Sequence, residues 1–446
     1  MEKGLGKKTW LSIVLFSLCG QIAWTIENML FNVFINEEFK AGTNTIALMV
    51  SASAVAATLT TLFMGALSDK IGKRKVFICG GYLLWGLSIM GFALLNVDTL
   101  DKIFGGTISA FSLGIGLTIA FDCLMTFFGS TANDAAFNAW MTDISDSTNR
   151  GKVEGVNSAM PLIAVLVVFG GKMLVDGNDN KWTIIFLTIG IIVLLVGIIG
   201  MFTIKEPQLE VKNESYFKNI FYGFKPSVIK QNKLLYIFLL GICVFSVAVQ
   251  IFMPYLILYF ESIPHLKDTY VFIFAPAVIL AAVFTVLYGK VIDKYGFVFT
   301  SIISLSIFVV GLVLLSLTAE IVVVFIGTLL MMMGYLSLGA CFNASIRDNT
   351  PSKEVGLFQG IRIFVSVLIP MLIGPWIGSY VSGNGNEGFL GVTEPGKTYT
   401  ISRNVFLVAA LVALLTYAVI ALIFYIKKKG EKDAKLQSTD AMGEEF

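Results

Sequence analysis

Hydrophobic positions in this chain gather into long, nearly unbroken runs, and neither the twofold nor the 3.6-fold alternation of a soluble domain dominates. A helix crossing a bilayer needs about 20 mostly apolar residues. Windows of that kind fall at 10–34, 44–67, 76–95, 113–141, 156–175, 182–204, 234–258, 270–289, 298–318, 321–343, 358–381 and 404–426. The pattern predicts an all-α membrane protein of 12 transmembrane helices. The fourth window turns polar near its end, and 96–112 reads as a loop or the start of a longer helix. Met1–Trp10 carries Lys3, Lys7 and Lys8, but the apolar run behind it reaches about Phe34, too long for a signal core, so it reads as the first span.

Charged residues make up 14% of the 446 residues, against roughly 25% in a soluble globule, so lipid is the expected solvent. Lys and Arg crowd one side of a twelve-span topology. That side holds both termini and the Lys70–Lys75, Arg150–Lys152, Lys205–Lys233, Lys290–Lys294 and Arg347–Arg362 regions. The other side has only Lys40, Lys102, Lys172, Lys181, Lys267, Lys397 and Arg403. Basic residues favour the cytoplasmic face, which predicts a multi-pass protein of the cell membrane with both termini cytoplasmic.

The chain also repeats itself. Gly65-x3-Asp69-x2-Gly72 after the second span returns as Gly289-x3-Asp293-x2-Gly296 after the eighth. Phe137-Asn138-Ala139-x3-Asp143 returns as Phe342-Asn343-Ala344-x3-Asp348, each followed twelve residues later by Gly155 or Gly360. The expected organisation is a six-helix bundle at 1–204, a cytoplasmic linker at 205–233, a second six-helix bundle at 234–426 and a cytoplasmic tail at 427–446. Such internal repeats mark secondary transporters. Tyr216, Phe217, Ile220, Phe221 and Phe224 fit either an interfacial helix or a plain linker, and the polar tail reads as disordered.

The stretch from Gly65 to Lys75 resembles the signature loop of the major facilitator superfamily: a Gly, an Asp, a basic residue, a Gly and a basic pair between the second and third helices. The resemblance implies two six-helix halves enclosing a cavity, with this loop latching them in one conformation. It makes Gly65, Asp69, Gly72, Arg74, Asp143, Asp293, Gly296 and Asp348 gating candidates. Asn133-Asp134-x3-Asn138-Ala139-x3-Asp143 is similar to a pattern in sucrose- and glycoside-type carriers, although Asn138 stands where sucrose-type carriers often have Arg. The second span also lacks the acids that melibiose-type carriers place there.

Ionisable groups in hydrocarbon are costly and are functional candidates by default. Glu27, Asp122 and Asp134 are the cation-coupling candidates, for a proton or a sodium ion. Asp122 also has a reading close to the outer water. Gln21, Asn28 and Asn32 fall on one face of a regular helix, Asp122 and Asn133 on one face of the fourth span, and Asp134 and Asn138 on another. Amides can donate to and accept from sugar hydroxyls, and the same amides can glue helices together. With Trp24 as a stacking ring, the solute-binding candidates are Gln21, Trp24, Asn28, Asn32, Asn133 and Gln250. Arg362 reads as an arginine snorkelling to phosphate or as the partner of an acid. Pro161, Pro254, Pro276, Pro370 and Pro375 predict bends.

No phosphate loop and no hydrolase motif occurs. Cys19, Cys79, Cys123, Cys243 and Cys341 are spaced for neither a metal nor disulfides. No cofactor, metal, catalytic residue or nucleic acid is expected, and the protein is expected to act as a monomer, not an enzyme. The resulting expectation is a secondary transporter of a small solute, a sugar or glycoside, moved by alternating access with cation symport. An exporter of amphipathic compounds in the same fold, a membrane enzyme and a non-transporting sensor are the alternatives.

Overall fold

The computed structural model describes residues 5–104, 109–145, 149–206, 221–267, 269–351, 355–382 and 401–443. Eleven helices among them are long and apolar enough to cross a membrane. Spans 1 to 7 are Lys7–Phe39, Thr43–Ile71, Arg74–Leu94, Ala110–Ile144, Lys152–Val175, Lys181–Thr203 and Lys233–Glu261. Next comes Tyr270–Leu317, then Ile321–Asn349 (span 10), Phe358–Val381 (span 11) and Asn404–Lys429 (span 12). Tyr270–Leu317 has 48 residues, about 72 Å of helix at 1.5 Å per residue, twice what a bilayer needs. It breaks at Gly296, with φ 75° and ψ 174°, and so supplies spans 8 and 9, twelve in all.

The repeated motif explains that break. Gly72 ends span 2 at φ 68°, and Gly296 takes the positive φ at the matching place. These are the two positive-φ glycines among the described residues, in the region open to glycine at little cost. Gly65 has no such constraint: a Cβ there would meet only the Ala135 Cβ, at 3.8 Å.

Three spans contain π-helical segments: Ile26–Leu30 in span 1, Ser130–Phe137 in span 4 and Phe364–Leu368 in span 11. Their wider i→i+5 turns break the 3.6-residue period. Faces read from that period therefore do not carry through spans 1 and 4.

The chain forms two compact units. The first comprises Met1–Ile220, Phe252–Ala275 and Met371–Ser402, and the second Phe221–Ile251, Pro276–Pro370 and Arg403–Phe446. Spans 7, 8 and 11 pass between units next to Pro254, Pro276 and Pro370, where proline withholds a helix hydrogen bond. In the first unit, aromatic side chains fill the interior of the bundle. Phe34, Phe92, Trp182 and Phe186 interlock edge-on or stacked, with ring centroids 4.9–6.4 Å apart, and Trp85 and Trp140 are fully buried.

Two expectations change. The segment 96–112 contains a short helix, Val97–Phe104. The tail is helical to Gly443, because a Lys-rich stretch can prolong span 12 without a new nucleus. Tyr216, Phe217 and Ile220, the first part of the proposed interfacial helix, lie outside the described residues.

Candidate functional site

The first unit brings acids from different spans together. Glu27 lies in the π segment of span 1. Its Oε1 accepts hydrogen bonds from Ser53 Oγ of span 2 at 2.7 Å and Thr126 Oγ1 of span 4 at 2.9 Å. Those two hydroxyls lie 2.9 Å apart, so their two protons cannot satisfy all three contacts at once. Glu27 Oε2 is buried and has no hydrogen-bond partner. Asp122 is within electrostatic reach of Glu27, is 2% exposed, and also buries an oxygen, Oδ1, with no partner. This corrects the reading of Asp122 as a charge close to the outer water. Asp134, in the π segment of span 4, is likewise within reach of Glu27. It accepts from Ser130 Oγ at 3.1 Å and lies against the Trp24 side chain.

The amides divide by environment. Asn28 is exposed and donates to Trp24 O of its own helix at 2.8 Å. Asn32 is buried, bonds Asn28 O at 3.3 Å and leaves Oδ1 unpartnered. The π segment Ile26–Leu30, which contains Asn28, shifts the register between Gln21 and Asn32, so the three do not form one uniform stripe. Asn133 is buried. Its Nδ2 donates to Tyr82 Oη at 2.7 Å, and Tyr82 donates on to Phe16 O at 2.8 Å. A Cβ on Gly20 would fall 2.2 Å from Asn133 Nδ2, so this junction of spans 1, 3 and 4 closes only over a glycine. Trp24 packs at a tilt on Trp85, 5.0 Å between centroids. Gln21 is half-buried, as is Gln250 in the second unit.

The signature loop forms a second cluster in the first unit. Arg74 is 5% exposed. Its Nη2 pairs with Asp69 Oδ1 at 2.5 Å, its Nε with Asp143 Oδ2 at 2.9 Å, and its Nη1 donates to Ser68 Oγ at 2.9 Å. The Glu206 carboxylate accepts from the backbone N–H groups of Arg74 and Lys75, at the start of span 3, where the helix dipole favours negative charge. Spans 2, 3, 4 and 6 are thereby tied together. The second copy makes no such cluster: among the described residues neither Asp293 nor Asp348 forms an ion pair. It lacks the basic pair that supplies Arg74.

A third cluster, at the other end of the first unit, was not anticipated. Lys172, 3% exposed, pairs with Asp176 Oδ1 at 2.8 Å and Glu261 Oε1 at 3.0 Å. Tyr270 covers it, with its ring 5.6 Å from Nζ and its hydroxyl 3.1 Å from Glu261 Oε1. Lys181 pairs with Glu37 at 2.7 Å. Nearby, Tyr255 donates to Pro375 O at 2.6 Å, Ser379 to Asn44 Oδ1 at 2.6 Å and Trp376 Nε1 to Ser51 Oγ at 3.1 Å. Lysines at helix ends are common, and nothing in their spacing distinguishes this one. Ser53 and Thr126 escaped notice for the same reason.

A family model described as Major Facilitator Superfamily matches residues 13–371 and 269–441. The riboflavin transporter RibZ of Clostridioides difficile is 26% identical over 215 residues, 47% of this chain and 42% of that protein. Multidrug resistance protein 2 of Bacillus subtilis is 21% identical over 265 residues, 57% of this chain and 59% of that protein. The chain thus spans about half the length of the curated relatives it matches. Among solved structures, a bacterial homolog of the human lysosomal transporter Spinster, inward-facing and unoccupied, superposes with a TM-score of 0.70 at 16% identity, covering 94% of this chain and 98% of that one. A D-xylose-proton symporter superposes with a TM-score of 0.70 at 13% identity, covering 92% and 97%.

Proposed function

We propose, from the premise that this chain belongs to the Major Facilitator Superfamily, that it carries a sugar or glycoside by alternating access, with proton or sodium symport through Glu27, Asp122 and Asp134. The observation that carries the reading is the pair of buried, unpartnered carboxylate oxygens, Glu27 Oε2 and Asp122 Oδ1. Two carboxylates in one low-dielectric region resist ionising together, so one of them wants a proton or a cation. Loading and unloading that site gives transport a thermodynamic link to an ion gradient.

For the solute, we favour Asn28, Trp24 and Gln21 of the first unit, which keep some exposure, and keep Gln250 of the second unit as a separate candidate. An exposed amide within a span is costly against lipid, so the exposed Asn28 is read as facing water. Asn32 and Asn133 are more tightly held and fit a positioning role. The wider reading has two six-helix halves, 1–204 and 234–426, joined by 205–233, with 427–446 as a tail, in a monomer with both termini on the cytoplasmic side of the cell membrane. The Asp69, Arg74 and Asp143 cluster acts as its latch.

Uptake into proteoliposomes tests this, with mono- and disaccharides presented under imposed proton or sodium gradients. Uphill accumulation driven by one gradient is expected. Glu27→Gln is expected to abolish accumulation while leaving downhill exchange. Uphill uptake that survives the substitution removes Glu27 from coupling. Likeness to the Bacillus multidrug protein favours a second reading, export of amphipathic compounds, which predicts dye extrusion and no gradient-driven sugar entry.

A further inference from the structure

The cation Arg362 has no use in the coupling scheme above. It lies near the start of span 11, on a helix held firmly in the second unit. Phe358 packs edge-on against Tyr222 at 5.9 Å, Phe364 against Phe224 at 5.3 Å, and a Cβ on Gly223 would meet Ile361 Cγ2 at 2.6 Å. Arg362 Nη2 donates to Asn343 Oδ1 of span 10 at 2.9 Å. That bond fixes the amide so that its own two N–H donors point elsewhere. Arg347 is four residues beyond Asn343, on the same helical face, and is close enough to Arg362 to repel it.

Two like charges close enough to repel each other draw an anion to the place between them. Among the described residues the ion pairs are those of Arg74, Lys172 and Lys181, so no described carboxylate pairs with Arg362 or Arg347. Asp348 is adjacent to Arg347 in sequence and therefore faces another way. An arginine in a span is costly unless something compensates it. Its guanidinium keeps four of five donors in a planar fork that suits two oxygens of one anion.

We propose that Arg362, with Arg347 and Asn343, forms a binding site for an oxyanion, a carboxylate or a phosphate, borne by a solute or by a lipid headgroup. The site goes beyond the sugar reading and does not depend on Glu27, because it holds charge whether or not transport is ion-coupled.

Thermal stabilisation of the full-length protein in maltoside micelles, at fixed ionic strength, tests it. Glucose 6-phosphate, glucuronate, glucose and phosphatidylglycerol are the probes. The wild-type protein is expected to be stabilised by at least one of the anionic probes and less by glucose. Arg362→Gln should weaken that probe roughly tenfold or more, the worth of a charge-assisted pair. Arg362→Lys should keep part of it, and Arg347→Gln should lose less. A preference for the soluble anions assigns the site to solute, and a preference for phosphatidylglycerol to lipid. Equal response of wild type and a folded Arg362→Gln to every probe, or stabilisation of the wild type by no anionic probe beyond that given by glucose, would overturn the proposal. The assay needs no gradient, so its failure is distinguishable from failure of uptake.

Discussion

Arg74 is a cation almost removed from water and kept so by two aspartates and a serine. Removing one partner of a fully buried pair costs about 3–5 kcal/mol. Asp69 and Asp143 remain partly wet, with side chains 33% and 20% exposed, so the cost here should be smaller. Arg74→Gln is expected to lower the thermal midpoint in detergent by a few degrees. Asp143→Asn should cost less, since Arg74 keeps Asp69. Equal loss in both variants would mean that the arginine gains little from Asp69. Asp69 and Arg74 of this cluster were legible in the sequence because the loop's spacing is distinctive, and Asp143 because its motif recurs in the second half, whereas Ser68 and Glu206 were not. Ser53 and Thr126, which hold Glu27, were not legible: hydroxyls are frequent in membrane helices, and nothing local marks the two that meet a carboxylate.

At the scale of elements, span positions could be read because lipid demands some 20 apolar residues in a row. The breaks after spans 2 and 8 could be read because a repeated glycine marks each. The faces of spans 1 and 4 could not. A π segment changes how many residues fill a turn, and the neighbours change along the span: Asp122 is within reach of Glu27, while Asn133, eleven residues on, bonds Tyr82. The chain from Asn133 through Tyr82 to Phe16 O crosses three spans, and its energetics follow from that geometry. Tyr82→Phe removes an acceptor from Asn133 and a donor from Phe16 O, an expected loss of about 1–3 kcal/mol. Asn133→Ala should cost a similar amount. The double variant should cost much less than their sum, because both changes break one network. Additive losses in denaturation of the detergent-solubilised protein would show that the two side chains act independently.

Alternating access requires that whatever closes one end of the molecule be strong enough to hold and weak enough to release. In the first unit the ends of spans 7, 8 and 11 pack with spans 1, 2, 5 and 6, and the bond most sensitive to charge there is Lys172 to Glu261. Lys172 has a second carboxylate in Asp176, but Glu261, 10% exposed, has among the described residues only Lys172 as a cation. The two single substitutions are therefore unequal. Glu261→Gln leaves Lys172 paired with Asp176. Lys172→Gln leaves a buried carboxylate alone, beside Glu37, which also repels it. If this end opens in the transport cycle, Lys172→Gln should favour the open form more than Glu261→Gln, and Lys172→Gln/Glu261→Gln should fall back towards the milder single variant. The five native cysteines are first replaced, and a single cysteine is placed at Ser51, which Trp376 covers. Labelling by a membrane-impermeant maleimide then reports opening. Each 1.4 kcal/mol of shift is a tenfold change in the open population, so the single variants should differ several-fold in rate. Equal rates in all three backgrounds would mean that this ion pair is structural and that the end it closes opens elsewhere or not at all.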